Sequence, residues 1–362
     1  MRARVVIYCS LVCLIVFIGI PSWTHAHTLK PGLIEKVTGE HIEGHGGATS
    51  TDPRGEERTF ASFPEWYIVY SAEEYAAFVS SGGLPSQFPY FKAIGQYWDS
   101  VAYTKKALGD REIDSSTNTV LTFIGWSFTF ENAVIGGYEK TIGRLSEASN
   151  FFNTSGADKY IDQVSTEYAE FLLHTPWYDF PYFNKLPGLW AGIGTDISVR
   201  GLERRIIFTV GYTLKGVYGK VIGTVSHSSL GFAELTTTFT TDAISVSELE
   251  KIQGVEIIDA YDDGHIKASA PRYRAFKPVA EAIIQAGGKF LDIQENHVIM
   301  LTLSAPVDSA CIKDRRDVIF SMPVVTAPNA ARFGIRTPVT ELNVVVQEIT
   351  SCGISIEHLY DY

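Results

Sequence analysis

Glu74-Tyr75-Ala76-Ala77-Phe78, followed by Phe88-Pro89-Tyr90-Phe91 and Trp98, is written a second time as Glu167-Tyr168-Ala169-Glu170-Phe171, Phe180-Pro181-Tyr182-Phe183 and Trp190. The correspondence continues outward. Phe128-Thr129 with Gly136, Tyr138, Lys140, Ile142 and Gly143 matches Phe208-Thr209 with Gly216, Tyr218, Lys220, Ile222 and Gly223. Tyr67-Ile68 and Tyr160-Ile161 lead the two copies at the same distance. Such a series, in one order and with similar gaps, argues for a duplicated helical domain over residues 60–230, with copies at about 60–147 and 160–227. Equal patterns of apolar and small residues bury equal faces, so the two units are expected to pack about a pseudo-twofold axis, as in a symmetric dimer. The polar stretch Tyr103 to Thr119 is an insertion that lengthens the first copy.

Each copy reads as a helix, a proline- and aromatic-rich turn, and a second, more apolar helix. Glu73 to Ser80 and Tyr160 to Leu173 are the first helices; in the latter, Tyr160, Val164, Tyr168, Phe171 and Leu172 share one face. The second helices span roughly Val120 to Leu145 and Leu202 to Val225. After Gly231 the texture turns to β. Val255 to Tyr261 and His265 to Ala270 flank Asp262-Asp263-Gly264, a hairpin signal. A helix over Ala275 to Ala286 ends at Gly287-Gly288, and a second over Val339 to Ile349 ends near Gly353. Strands are expected at Glu234 to Thr240, Phe290 to Ile293, Val298 to Leu303, Val318 to Val325 and Ile354 to Leu359. Two such βαβ halves make residues 231–362 a ferredoxin-like α/β sandwich, so the whole chain reads as α+β. That fold hosts many functions and fixes none.

The first 26 residues have the form of a signal peptide. Arg2 and Arg4 precede an apolar run, Val5 to Ile20; Pro21 breaks it, and Thr24-His25-Ala26 offers small residues at the cleavage positions. As a helix the run would be about 24 Å long, short of the roughly 30 Å hydrocarbon core. A cleaved signal is favoured over an anchor at residues 5–20, and the protein is expected to be exported, either periplasmic or secreted. Cys9 and Cys13 leave with the signal. Cys311 and Cys352 remain, and in an exported chain they most simply form a disulfide. Closing a loop of about forty residues this way is worth about 3–4 kcal/mol in the chain-entropy model. Residues 27–58 are polar and glycine-rich, a lead-in of low order.

Apolar residues at 45% and charged ones at 20% describe a folded globular chain, and a net charge of −11 argues against nucleic acid as a partner. Catalytic signatures are missing. Gly125-Trp126-Ser127-Phe128 lacks the second glycine of a nucleophile elbow, and neither a P-loop nor a dinucleotide fingerprint occurs. No cofactor and no metal is therefore expected. His41 and His45 stand four apart, but Gly39, Gly44, Gly46 and Gly47 around them favour a linker over a metal-binding helix. A mature N-terminus at His27 would offer copper an amine and a ring without a recognisable second ligand.

Two features point toward function. Glu131 and Lys215 sit in the apolar second helices, in unmatched positions, where pseudo-twofold packing would join them as a buried ion pair. Those charges also argue against membrane spanning, although the glycines of both helices suit close helix packing in either setting. The aromatic turns concentrate Phe91 and Trp98 in one copy and Trp177, Tyr182, Phe183 and Trp190 in the other. Such rings suit a hydrophobic, glycan or lipid ligand, or pack helix ends. The expectation is a non-enzymatic binding or scaffolding module of the cell envelope, its partner a hydrophobic small molecule or another envelope protein. The alternatives are an enzyme using His174, Asp179 and Glu170 near the aromatic turn, and a component in peripheral contact with the membrane.

Overall fold

The computed structural model describes residues 56–109, 113, 115–195, 197–230 and 235–360. The expected signal peptide and anchor, the lead-in up to residue 55, and His27, His41 and His45 lie outside the described residues. The chain is α+β, with helices up to residue 230 and two antiparallel sheets after it.

Helix α1, Glu56–Ser80, starts well before the expected Glu73. Phe60, Phe63, Tyr67 and Tyr70 follow helical spacing and are at most 1% exposed, so burial of this face extends the helix toward the N-terminus. Pro64 sits within it and has no N–H to give to the Phe60 carbonyl. The Thr104 hydroxyl donates to that oxygen instead, at 3.2 Å. After a 3₁₀ turn, Pro85–Gln87, helix α2 runs Tyr90–Leu108 and α3 Ser115–Tyr138. A π-turn, Glu139–Gly143, leads into α4, Arg144–Ser149.

The same order then recurs. Helix α5, Gly156–Leu172, begins at a capping box in which Ser155 accepts from the Asp158 amide at 3.1 Å and donates back to its carboxylate. A 3₁₀ turn at Trp177–Asp179, α6 at Tyr182–Trp190 and α7 at Val199–Leu230 follow. Each series gains a helix between the two expected ones, α2 and α6, because Pro89 and Pro181 start a helix where an aromatic turn was expected. Helix α2 is the longer of the pair and carries the start of the expected insertion. The second helices also differ: α7 is continuous, whereas the first series is interrupted by the π-turn.

Ring geometry repeats closely. Tyr75 and Phe88 lie 5.1 Å apart, as do Tyr168 and Phe180. Phe88–Tyr90 and Phe180–Tyr182 are 4.9 and 4.8 Å apart. Trp98 Nε1 donates to Thr129 at 3.0 Å, and Trp190 Nε1 to Thr209 at 2.8 Å.

The remaining chain forms β1 (Thr236–Asp242), α8 (Val246–Leu249), β2 (Glu256–Ala260), β3 (Ile266–Pro271), α9 (Phe276–Gln285) and β4 (Lys289–Ile293). It continues as β5 (Val298–Pro306), α10 (Ala310–Lys313), β6 (Val318–Pro323), β7 (Ala330–Pro338), α11 (Leu342–Ser351) and β8 (Ile356–Tyr360). The sheets have the orders β2-β3-β1-β4 and β6-β7-β5-β8, the second being the first advanced by four strands. All neighbours are antiparallel. Where one sandwich sheet was expected there are two, joined through one core. Helix α9 packs against β3 and reaches β8, while α11 packs against β7 and reaches β4. Cys311 and Cys352 are disulfide-bonded and tie α10 to the end of α11. Strand β7 was not anticipated from sequence. Gly334 at its centre is required by the Phe320 ring, which occupies the place a Cβ would take.

The helical half is seated on the second sheet. Arg332 on β7 donates to Glu357 at 2.6 and 3.1 Å and to Glu74 of α1 at 3.2 Å, with its guanidinium 3.8 Å above the Tyr70 ring. The second Glu74 oxygen accepts from the Val325 amide at 2.9 Å. Tyr70 shares a hydrogen bond with Thr302 at 2.6 Å. His358 is fully buried, stacked 3.6 Å from Trp66, and neither ring nitrogen has a hydrogen-bond partner among the described residues. Burial, reinforced by the charges of Arg274 and Arg272, holds its imidazole well below the ordinary range.

The linkage follows from that shift. The native state binds this proton less readily than the unfolded chain, so His358 contributes stability that is complete above about pH 6.5 and falls as the pH drops below it. Between that value and the native one, the slope is about 1.4 kcal/mol per pH unit. Urea denaturation of wild type and His358→Phe at pH 7 and pH 5 should show the variant less acid-sensitive, by one proton's worth. Parallel pH profiles would refute the assignment.

Candidate binding cleft

The glycines of α7 recur at Gly216, Gly219 and Gly223, spacings that keep them near one face of the helix. The aromatic turn before α6 lies on that face. A Cβ on Gly216 would come within 2.6 Å of the Phe183 ring, and one on Gly219 within 2.9 Å of the Tyr178 carbonyl oxygen. Between turn and helix is a cleft of about 450 Å³. Its lining includes Tyr178, Asp179, Tyr182 and Phe183 from the turn side and Lys220 and Thr224 from α7. That volume lies within the range of small-molecule sites. Lys220 reaches over the Phe183 ring at 4.9 Å. Trp177 stacks on Tyr218 at 5.2 Å and braces the turn from behind. Burial pushes the Tyr182 phenol well above its ordinary value, with Glu131 adding to the effect, so it stays neutral. The cleft thus offers aromatic surface with one ammonium and one carboxylate at its margin. It can stack and orient a ligand.

The other end of the α3–α7 pair is closed by charge. The helices run antiparallel, bridged in turn by Glu131–Lys215, Tyr138–Glu203 and Glu139–Arg204. Arg204 makes two bonds to Glu139, at 2.6 and 2.7 Å. Arg200 makes two to Asp158, at 3.0 and 2.8 Å, and also donates to the Gly143 carbonyl and the Ser146 hydroxyl. Glu147 accepts from the Ser86 amide at 3.1 Å and from its hydroxyl at 2.5 Å. Both arginines are 1% exposed. Burial opposes the charge on Arg204, but Glu139 more than offsets it and its pKa is raised. Gly143 leaves room for the Glu139 carboxylate, and the π-turn is what directs that side chain inward. Where Gly219 and Gly223 leave the cleft open in the second series, Glu139 and Gly143 hold the corresponding places in this network.

Of the six aromatic residues singled out from sequence, Tyr182 and Phe183 line the cleft and Trp177 supports it. Phe91 is half exposed on α2, outside the cleft. Trp98 and Trp190 hydrogen-bond between helices, because each indole N–H finds the threonine of the facing helix. Glu131 and Lys215 meet, but not as a buried pair: their side chains are 46% and 32% exposed, since the helix faces carrying them open to solvent. Lys215 also lies over the Tyr168 and Tyr182 rings, at 5.6 and 5.7 Å. His174 and Glu170 approach to 3.3 Å on an exposed helix end, and Asp179 is apart from them in the cleft lining.

The arginine network escaped the sequence reading. Arg200, Arg204 and Arg205 resemble an exposed basic helix start, and the acids to which Arg200 and Arg204 make their paired bonds, Asp158 and Glu139, lie 42 and 65 residues away. Among the described residues no helix is long and apolar enough to cross a membrane, and no group of three His, Cys, Asp or Glu side chains is placed to hold a metal. Compared with protein-family models, curated proteins and solved structures, the chain finds no significant match in any of the three.

Proposed function

We propose that this is an exported binding module of the cell envelope, periplasmic or secreted, that holds an apolar or aromatic ligand in the cleft between the Tyr178–Phe183 turn and α7. The observation that carries this reading is the coincidence of ring-bearing turn and glycine face around one cavity of ligand size. The repeated element order and ring geometry support a helical domain built by pseudo-twofold duplication. The strand order 2-3-1-4, found in both sheets, supports a ferredoxin-like arrangement, present twice rather than once. On this reading the α/β half is the platform and the second helical copy is the receptor. The enzyme alternative loses ground, because His174 and Glu170 face solvent instead of enclosing a reaction centre.

Titration with N-phenyl-1-naphthylamine, a neutral aromatic probe, should give saturable fluorescence enhancement. Phe183→Ala removes one stacking ring, worth about 1 kcal/mol, or roughly a fivefold loss of affinity. Phe91→Ala, the matching position outside the cleft, should leave binding unchanged. Equal effects of the two substitutions, or no saturable binding at all, would overturn the reading.

A further inference from the structure

At the closed end of the α3–α7 pair, the inside and outside of the molecule have opposite chemistry. The four described acids of residues 139–159 and 197–205 (Glu139, Glu147, Asp158 and Glu203) all turn inward, none with a side chain more than 13% exposed. Lys140, Arg144 and Lys159 are exposed there, in a chain whose net charge is −11. Between these cations stand large apolar side chains in water: Leu145 is 73% exposed and Phe151 86%, with Ile142, Phe152, Val199 and Leu202 also exposed. They belong to one surface, since Arg200 bonds to Gly143 and Ser146 and the Arg144 guanidinium lies 4.5 Å over the Phe152 ring.

The loop that presents the two phenylalanines is strained. The Phe151 and Phe152 amides bond back to the Ala148 and Glu147 carbonyls at 3.1 and 2.8 Å, closing α4 as a Schellman motif. Its left-handed position, where glycine is usual, holds Phe151 at φ 54°, and Phe152 beside it also has a positive φ, 59°. Strain of this kind, spent on holding two rings in water, is what a surface waiting for an apolar phase requires.

We infer that this end is a docking surface for an anionic lipid bilayer, its rings and aliphatic side chains entering the headgroup boundary while Lys140, Arg144 and Lys159 meet lipid phosphates. The combination of apolar insertion with cationic attraction is that of interfacial binding. A second copy of the chain fits less well, because a symmetric contact would set Lys140 and Arg144 against their own counterparts.

Hydrogen exchange on the full chain tests this, with phosphatidylcholine vesicles and with vesicles that also contain phosphatidylglycerol. Peptides covering 140–153 and 197–205 should be protected by the anionic vesicles and unaffected by the neutral ones. Lys140→Gln should weaken that protection about fivefold in vesicle concentration, the share of one cation near a charged surface. Phe151→Ser, which removes only an exposed ring, should weaken it at least as much. Vesicle capture without protection of these peptides would assign binding to another segment and overturn the inference. So would equal protection by neutral vesicles, no response to vesicles, or protection that follows protein concentration alone, which would indicate a second copy. The cleft titration is independent of every one of these outcomes.

Discussion

Arg204→Met should lower the stability of the protein by about 3–5 kcal/mol, read as a fall in the urea midpoint at constant slope. The guanidinium makes two bonds to a carboxylate that is itself 2% exposed, and its Nε lies 3.0 Å from Asp158. Methionine fills much of the same volume but leaves Glu139 charged and unpaired inside the protein. The cost belongs to that stranded carboxylate and only in small part to the lost attraction. Adding Glu139→Gln should therefore recover a large part of the loss, a coupling seen only when two residues share one network. A single-variant loss below about 1 kcal/mol would mean that water reaches the network. An uncoupled double variant would mean that the pair is incidental.

Arg332→Met should be comparably destabilising, with a pH dependence that distinguishes it. Here the stranded groups are Glu74 and Glu357, at the joint between α1 and the second sheet. Burial already raises the Glu74 carboxyl above its ordinary value, and Arg332 is the main influence holding it down. Without the arginine, the native state binds the Glu74 proton more tightly than the unfolded chain does. Stability tied to that proton is lost as the pH rises through the raised native value and regained as it falls. The penalty should be about 3–5 kcal/mol at pH 8 and visibly smaller at pH 5. A penalty that is flat or grows toward acid would remove Glu74 from this role.

Local pattern carried the sequence reading a long way, and long-range pairing marks where it stopped. Element types were legible wherever one face is apolar at a regular period, as along Tyr160 to Leu172 or between Phe276 and Gln285. The Cys311–Cys352 bond was legible from parity, two cysteines being left once an exported chain was expected. Strand β7 was not, because its arginines and Gly334 look like loop until Phe320 and Glu357 are placed beside them. The start of α1 was hidden for a similar reason, since its aromatic face gains meaning only when the second sheet covers it. The cleft was half legible. The rings of the turn announced themselves, but the glycines of α7 became its other wall only through their contact with Tyr178 and Phe183. Phe91 shows the converse: the same motif in the first series ends on an open surface.

The hydrogen bond between Tyr70 and Tyr360, and the stacking of Trp66 on His358, join the first described helix to the last strand across roughly 290 residues. A ribosome delivers α1 long before its cover exists. Tyr67 finds Tyr97 and Phe128 as soon as α2 and α3 follow, but Phe63 must wait for Phe320 of β6, and Trp66 and Tyr70 for His358 and Tyr360 of β8. Loop closure over such a span is slow, and the waiting surface is adhesive. One side of α1 can thus be covered early, while its other side stays bare until the second sheet has been made.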